Sequence, residues 1–350
     1  MRRTWLVLTM TLAAAPAGAQ APRADPGLTV REAVNAAIRG ATSEGKLARA
    51  YQGRNQGGEQ TERFSRKIRL GRDGRVSVSN IAGDIVVNAG SGDELSIEAV
   101  KRTRGGAGDL ANVRIVVDER AGRVDIRTEH DRGRIDHLSV DYTLTVPSGA
   151  AVDAHSVSGN LKVTGIRGSL RAETVSGDVL ANDTPKIEVA KSVSGSVTLS
   201  GVSTDGDLSV GSVSGDVTAK GVKVHALEMS SVSGDINVSD VTCERFTAKS
   251  VSGGVDYSGS IARGGSYEIN VHSGDIRLTL ANPSGFVLNA GTFSGSVHSD
   301  LPMTIGGDAD ARDRDRRGRP NNRTMRATYG DGSATLNLRS FSGDIIINKR

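Results

Sequence analysis

Acidic side chains recur after glycine at one spacing. Asp84, Asp178, Asp216, Asp235, Asp275 and Asp344 each follow a glycine. Stacked as a column, they would set carboxylates about 4.8 Å apart, a spacing that suits a divalent cation held between strands. Asn160, Ser196, Gly254 and Ser296 interrupt the column. Interruption relieves like-charge repulsion, and Asp after Gly is a routine turn residue, so the structural reading is favoured and no metal ligand is assigned. A second column precedes the glycines: Ser158, Ser176, Ser194, Ser214, Ser233, Ser252, Ser273 and Ser294. No base stands at a fixed spacing from these hydroxyls, which argues against nucleophilic catalysis and leaves a polar face. His130, His137, His155, His225, His272 and His298 lack metal-ligand spacing. Asp308, Asp310, Asp313 and Asp315 lack the glycine and distal glutamate of a calcium loop. Among them lie Arg314, Arg316 and Arg317. These arginines suit an anionic lipid or polysaccharide, or simply a solvated loop. The candidate contact face is therefore Asp178, Asp216, Asp235 and Asp275, with Ser176, Ser214 and Ser233, and with Arg314, Arg316 and Arg317. No catalytic, cofactor-binding or metal residue is assigned.

The elements that position these residues follow from an internal repeat. Ser156-Val157-Ser158-Gly159 returns at Thr174, Ser192, Ser212, Ser231 and Ser250, and more loosely at Val271, Thr292 and Ser340. An early copy is Asn80-Ile81-Ala82-Gly83. Successive glycines stand about 19 or 20 residues apart. The frame extends outward as Leu227, Met229, Ser231, Val232, Gly234, Asp235 and Ile236. Its period of two marks a strand with one buried face. The reading places the bend at the Ser-Val junction, with Val232, Gly234 and Ile236 inward. Each unit is then two short strands and a return loop, unable to bury its apolar face except against copies of itself.

The fold class is all-β: a β-solenoid of about ten short rungs. Val157, Val175, Val193, Val213, Val232 and Val251 are expected as one inner ladder. Leu161, Val179, Val197, Val217, Ile236, Val255, Ile276 and Val297 are expected as another. Glycine between them would give room where two walls approach. Ile187 and Val189 fall out of frame, predicting a bulge. Val113 to Val117, Val124 to Arg127 and Leu138 to Val146 predict longer strands. The unit at Gly343 is expected to end the stack, its terminal charges opposing end-to-end association.

Residues 1–19 read as a secretory signal, with Arg2 and Arg3, an apolar run from Trp5 to Ala15, and Ala17-Gly18-Ala19 before the cut. Residues 20–64 are expected as a short N-terminal helix and a flexible linker, 65–149 as a wider β region, and 150–350 as the repeat solenoid. An Arg/Asp-rich insertion interrupts the last at about 302–324. The composition agrees: 44 glycines in 350 residues and only 3% aromatics disfavour a helical bundle or an enzyme core of bulky side chains. One cysteine, Cys243, excludes an intramolecular disulfide. A formal charge of +4 is too small for a nucleic-acid binder.

The leader, the Gly-Asp-Ile-Val-Val unit at Gly83, the Leu-Thr-Val-Pro-Ser-Gly-Ala step at Leu144 to Ala150 and the Ser-Val-Ser-Gly-Asp-Val units resemble a bacterial family called putative adhesins. It is a domain of unknown function forming a β-solenoid, and the likeness spans roughly residues 70 to 350. The resemblance implies adhesion at the cell surface or envelope, and implies no catalytic residues. The expectation is a non-enzymatic, exported binding or structural module, periplasmic or at the cell surface. Its expected partner is an envelope protein or polysaccharide, with no cofactor, no nucleic acid and no transmembrane segment after signal cleavage. The alternative is a polysaccharide-active enzyme on a β-helix scaffold, which would show an outward acid-plus-Arg or paired-acid cluster on neighbouring rungs.

Overall fold

A strand whose residues alternate between small apolar and polar can bury one face only by pairing with strands of the same pattern. The repeat does this along its length. The computed structural model describes residues 59–105, 107–130, 137–281, 283–305 and 324–350. The expected signal segment and N-terminal helix lie outside these residues, as do Arg314, Arg316 and Arg317.

Each repeat is one rung, named here by its corner glycine. In the Gly177 rung, Leu170–Ser176 runs into the corner and Val179–Asn182 leaves it. Neighbouring rungs pair parallel and residue for residue: Leu170 with Val152, Ala172 with Ala154, and Val179 with Leu161. Mid-stack, Val217–Ser233 and Ile236–Ser252 are continuous strands that wrap the return side and bury Val222, Val224, Val241 and Cys243 there. The expected bulge is present, with Leu170 facing Ile187 and Arg171 facing Val189.

The inner wall after the corner is as expected. Leu161, Val179, Val197, Val217, Ile236, Val255, Ile276 and Val297 are all buried. Each such side chain contributes about 1.5–3 kcal/mol on burial. The other expected ladder is corrected by the structure. Val157, Val175, Val193, Val213, Val232 and Val251 point outward and are 44–51% exposed. The alternation does not break at the Ser-Val junction. It continues one residue further, through the buried Ser231, and Val232 and Ser233 then both face solvent.

The corner glycines have two separate reasons to be glycine. Gly234 has φ +148°, and its neighbours along the stack have φ between +144° and +154°, a region that side chains with a Cβ rarely enter. A Cβ at Gly234 would also overlap the carbonyl oxygen of Gly215 in the rung before. The crowding thus runs along the stack, not between two opposed walls.

Stacking order departs from chain order near one end. Ser266–Ser273 pairs with Ala334–Ser342, which in turn pairs with Phe286–Ser294. The Gly343 rung is therefore inserted between those of Gly274 and Gly295, and does not end the stack as expected. On the entry wall the Gly295 rung is covered by Thr324–Tyr329, antiparallel to it. At the opposite end, Leu138–Pro147 pairs parallel with Ile85–Gly90, and Glu94–Thr103 and Gln60–Arg69 extend that wall by antiparallel pairing. Val113–Arg120 and Arg123–His130 extend the other. Strand thus begins at Gln60, inside the segment assigned to the linker.

Gly234→Ala should lower the denaturation free energy by about 2 kcal/mol or more through strain plus overlap. Gly221→Ala should cost about 1 kcal/mol, since its φ is +61° and the nearest neighbouring atom is 4.0 Å from the added Cβ. Equal losses in urea titrations would refute the stacking account.

Candidate functional site

The corner leaves two backbone groups without ladder partners, and side chains supply both. In six rungs the glycine carbonyl accepts a hydrogen bond from the buried hydroxyl of the next rung, as where Ser192 Oγ donates to Gly177 O at 2.8 Å and Ser212 Oγ to Gly195 O at 2.8 Å, whereas the Ser156 and Ser250 hydroxyls are buried without such a bond and Val271 has none to give. Thr292 Oγ1 donates to Gly343 O at 2.9 Å. In the first rung Asn80 stands at the serine position, donating from Nδ2 to Gly83 O at 3.0 Å and to Val140 O at 2.7 Å. Thr128 Oγ1 donates to Asn80 Oδ1 at 2.9 Å and lies 2.7 Å from the Tyr142 hydroxyl. Burial pushes that phenol up to about 12.

The second orphan is the N–H of the residue after glycine. In seven rungs it donates to the side chain at the same position one rung earlier. Asn160 N donates to Asp84 Oδ1 at 2.8 Å, Asp178 N to Asn160 Oδ1 at 2.9 Å, and Ser196 N to Asp178 Oδ1 at 2.8 Å. Asp235 N donates to Asp216 Oδ1 at 2.9 Å, Gly254 N to Asp235 Oδ1 at 2.7 Å, and Asp344 N to Asp275 Oδ1 at 2.9 Å. The candidates Asp178, Asp216, Asp235 and Asp275 are thus brought into one column, but each spends an oxygen on a backbone N–H. Among the described residues, no group of three or more His, Cys, Asp or Glu side chains is placed to hold a metal ion.

Two residues of the motif face solvent at the corner, the valine and the second serine, and the valine is the apolar one. Successive rungs align Val157, Val175, Val193, Val213, Val232 and Val251 into a stripe, which continues through His272, Phe341 and Phe293. Among the described residues, eight of the ten exposed large apolar side chains belong to it, so the apolar surface there is concentrated and not scattered. At its aromatic end the rings stack on one another. Phe341 is 4.9 Å from His272 at 12° and 4.9 Å from Phe293 at 5°. Ser176, Ser214 and Ser233 border the stripe as an exposed column with their counterparts in the other rungs. The sequence reading missed the stripe. The signal was available, because this slot varies as Val, His and Phe, whereas the slot before it is Ser, Thr or Asn in all but one rung.

Farther from the corner, the same wall carries a shallow groove of about 840 Å³ lined in part by Arg171, Lys186, Glu188, Glu228, Lys249 and Glu268. Its three glutamates are partnered, Glu188 with Arg171 at 3.1 Å, Glu228 with Lys249 at 3.9 Å, and Glu268 with the Asn270 amide at 2.8 Å, and Asp207 also lines it. Arg277 lies between Asp275, at 2.7 Å, and Asp256, at 3.7 Å. These are exposed ion pairs of the kind that solvated sheets carry. Cys243 is buried, and burial pushes its thiol up to about 12, so it is no nucleophile at neutral pH.

Stacked Gly-Asp corners extend from Gly83 to Gly343, and a family model matches the same span, residues 84–348. The chain belongs to the Toastrack DUF4097 family. Solved structures with a similar fold include a putative adhesin from Bacteroides fragilis, 13% identical over 83% of this chain and 97% of that one, with TM-score 0.41. A putative lipid binding protein from Parabacteroides distasonis is 11% identical over 85% of this chain and 98% of that one, with TM-score 0.43. Among curated proteins none matches. In this Toastrack chain the Asp column is part of the corner.

Asp344 accepts from both Ser296 N, at 2.8 Å, and Ser296 Oγ, at 2.9 Å, which holds its carboxyl below the usual carboxylate range. An unfolded Asp titrates at about 3.9, so this stabilisation is complete above that pH and is lost as pH falls through the lower folded value. Urea midpoints measured from pH 5 to pH 2 should fall, and Asp344→Asn should flatten that fall while keeping an acceptor oxygen. Millimolar calcium should leave the melting temperature unchanged. A calcium-dependent rise would restore the cation-ladder reading.

Proposed function

We propose that this Toastrack chain is a non-enzymatic, exported module of the bacterial cell envelope that binds through its regular flat surface. The observation that carries the reading is the Val/His/Phe stripe, an exposed apolar surface that the corner does not require. Leaving that much apolar surface in water is unfavourable unless something covers it. The exposed Ser176, Ser214 and Ser233 give it a small, uncharged border.

Two observations weigh against a polysaccharide-active enzyme. Glycosidic hydrolysis needs two carboxylates set across a cleft, whereas the three groove glutamates are engaged with neighbouring bases and an amide, which leaves Asp207 as a single carboxylate. Sugar rings stack on aromatic faces, and here both faces of Phe341 are covered by other rings.

The test is co-sedimentation of the purified chain with isolated envelope. The variant Val213→Thr/Val232→Thr/Val251→Thr keeps β-branching and removes apolar surface. Bound chain should fall at least several-fold with an unchanged melting temperature. Equal binding by the variant would overturn the assignment to the stripe.

A further inference from the structure

We propose that the stripe is a self-association surface, taken up by the stripe of a second copy of this chain running antiparallel to it. The inference rests on the reading of the stripe as the contact face, and names its partner.

The size is adequate for a reversible dimer. Eight steps of about 4.8 Å separate Val157 from Phe293, so the stripe is about 38 Å long. With one bordering column on each side its width is about 14 Å. Two such surfaces together cover on the order of 1,000 Å², the lower end of specific interfaces. A period of one rung lets identical stripes mesh all along their length, and a two-fold axis makes the contact self-complementary.

Charge fixes the direction. On the side away from the serines, the border consists of the residue two before each stripe position. A two-fold axis through Val232, the middle of the stripe, lays this border against its own copy in reverse order. Glu173 then faces Arg339, Lys191 faces Asn270, and Lys249 faces Gly211. Ser230 meets itself on the axis. One opposite-charge pair forms on each side of the axis and no like charges meet. A parallel arrangement would set this border against serines and place no opposite charge across from Glu173, which has His155 Nδ1 at 3.7 Å in its own chain, or from Arg339. Toward an anionic bilayer the two sides of the stripe differ: the border with Glu173 also carries Lys191, Lys249 and Arg339, whereas the other side carries the exposed Asp178, Asp216 and Asp235, which would repel it.

Sedimentation velocity of the purified full chain over a concentration series is the test. A concentration-dependent monomer–dimer equilibrium is expected. Val213→Thr/Val232→Thr/Val251→Thr should weaken it at least tenfold at unchanged melting temperature. Glu173→Arg or Arg339→Glu alone should weaken it several-fold, and the two together should restore it. A monomer at every concentration overturns the proposal, as does a dimer indifferent to the triple variant. Weakening by the triple variant without rescue by the charge swap overturns the antiparallel register. A monomer that sediments with phosphatidylcholine–phosphatidylglycerol vesicles through the stripe would assign the surface to lipid instead. A monomer whose envelope binding still depends on the stripe would sink self-association alone. A stripe-dependent dimer whose envelope binding ignores the stripe would sink the envelope reading alone.

Discussion

Everything in the stack depends on how closely one corner can approach the next. Parallel strands fix the distance between rungs, and at the corner the chain leaves the ladder while keeping that distance. Only a residue without a Cβ fits beneath the carbonyl of the previous rung, as Gly234 does beneath Gly215. The same turn takes a carbonyl and an N–H out of the backbone ladder. In most rungs a buried hydroxyl and an Asp or Asn side chain serve those groups from the neighbouring rungs. The repeated Ser-x-Ser-Gly-Asp is therefore less a binding motif than a description of how a tight corner satisfies its own polar groups.

That assignment accounts for the motif one residue at a time and leaves a remainder. The first serine, the glycine and the aspartate are occupied by the corner. The residue between the serines is not, and it is apolar in nearly every rung. Function on this scaffold is best sought where folding makes no demand, since a side chain needed for the corner is not free to meet a partner. The aspartates, the most reactive-looking residues in the sequence, are the least available by this criterion. The valines, ordinary as residues, are the most available.

Most of the architecture was legible in the sequence because the repeat is nearly regular and side-chain period is a strong constraint. The ladder from Leu161 to Val297, the bulge at Ile187 and the strands near Val113, Val124 and Leu138 follow directly from alternation. The direction of Val157 and its counterparts did not. At a corner the alternation loses phase by one residue, and hydrophobicity alone then favours burying valine over serine. The serine is buried because Gly177 O and its counterparts need a donor, a demand visible only once the backbone path is known. The Asp column was located correctly, but its work lay hidden in a backbone N–H that no side-chain pattern displays. The place of the Gly343 rung was likewise hidden, since the pattern of a rung says what it stacks on in kind but not which copy.

That displaced rung makes the order of synthesis differ from the order of assembly. The segment Phe286–Ser299 is made first, yet it has no rung to stack on until Ala334–Lys349 has been translated, and before that only Thr324–Tyr329 can pair with it. Until then the Gly274 rung shows an open edge, and the Gly295 segment is a tethered strand pair waiting nearby. Because the entropy of closing a loop rises only slowly with its length, the connection from Ser299 to Ala334 is a tolerable cost. One late segment therefore seals two edges at once, which makes completion of this end an all-or-none event within an otherwise stepwise stack.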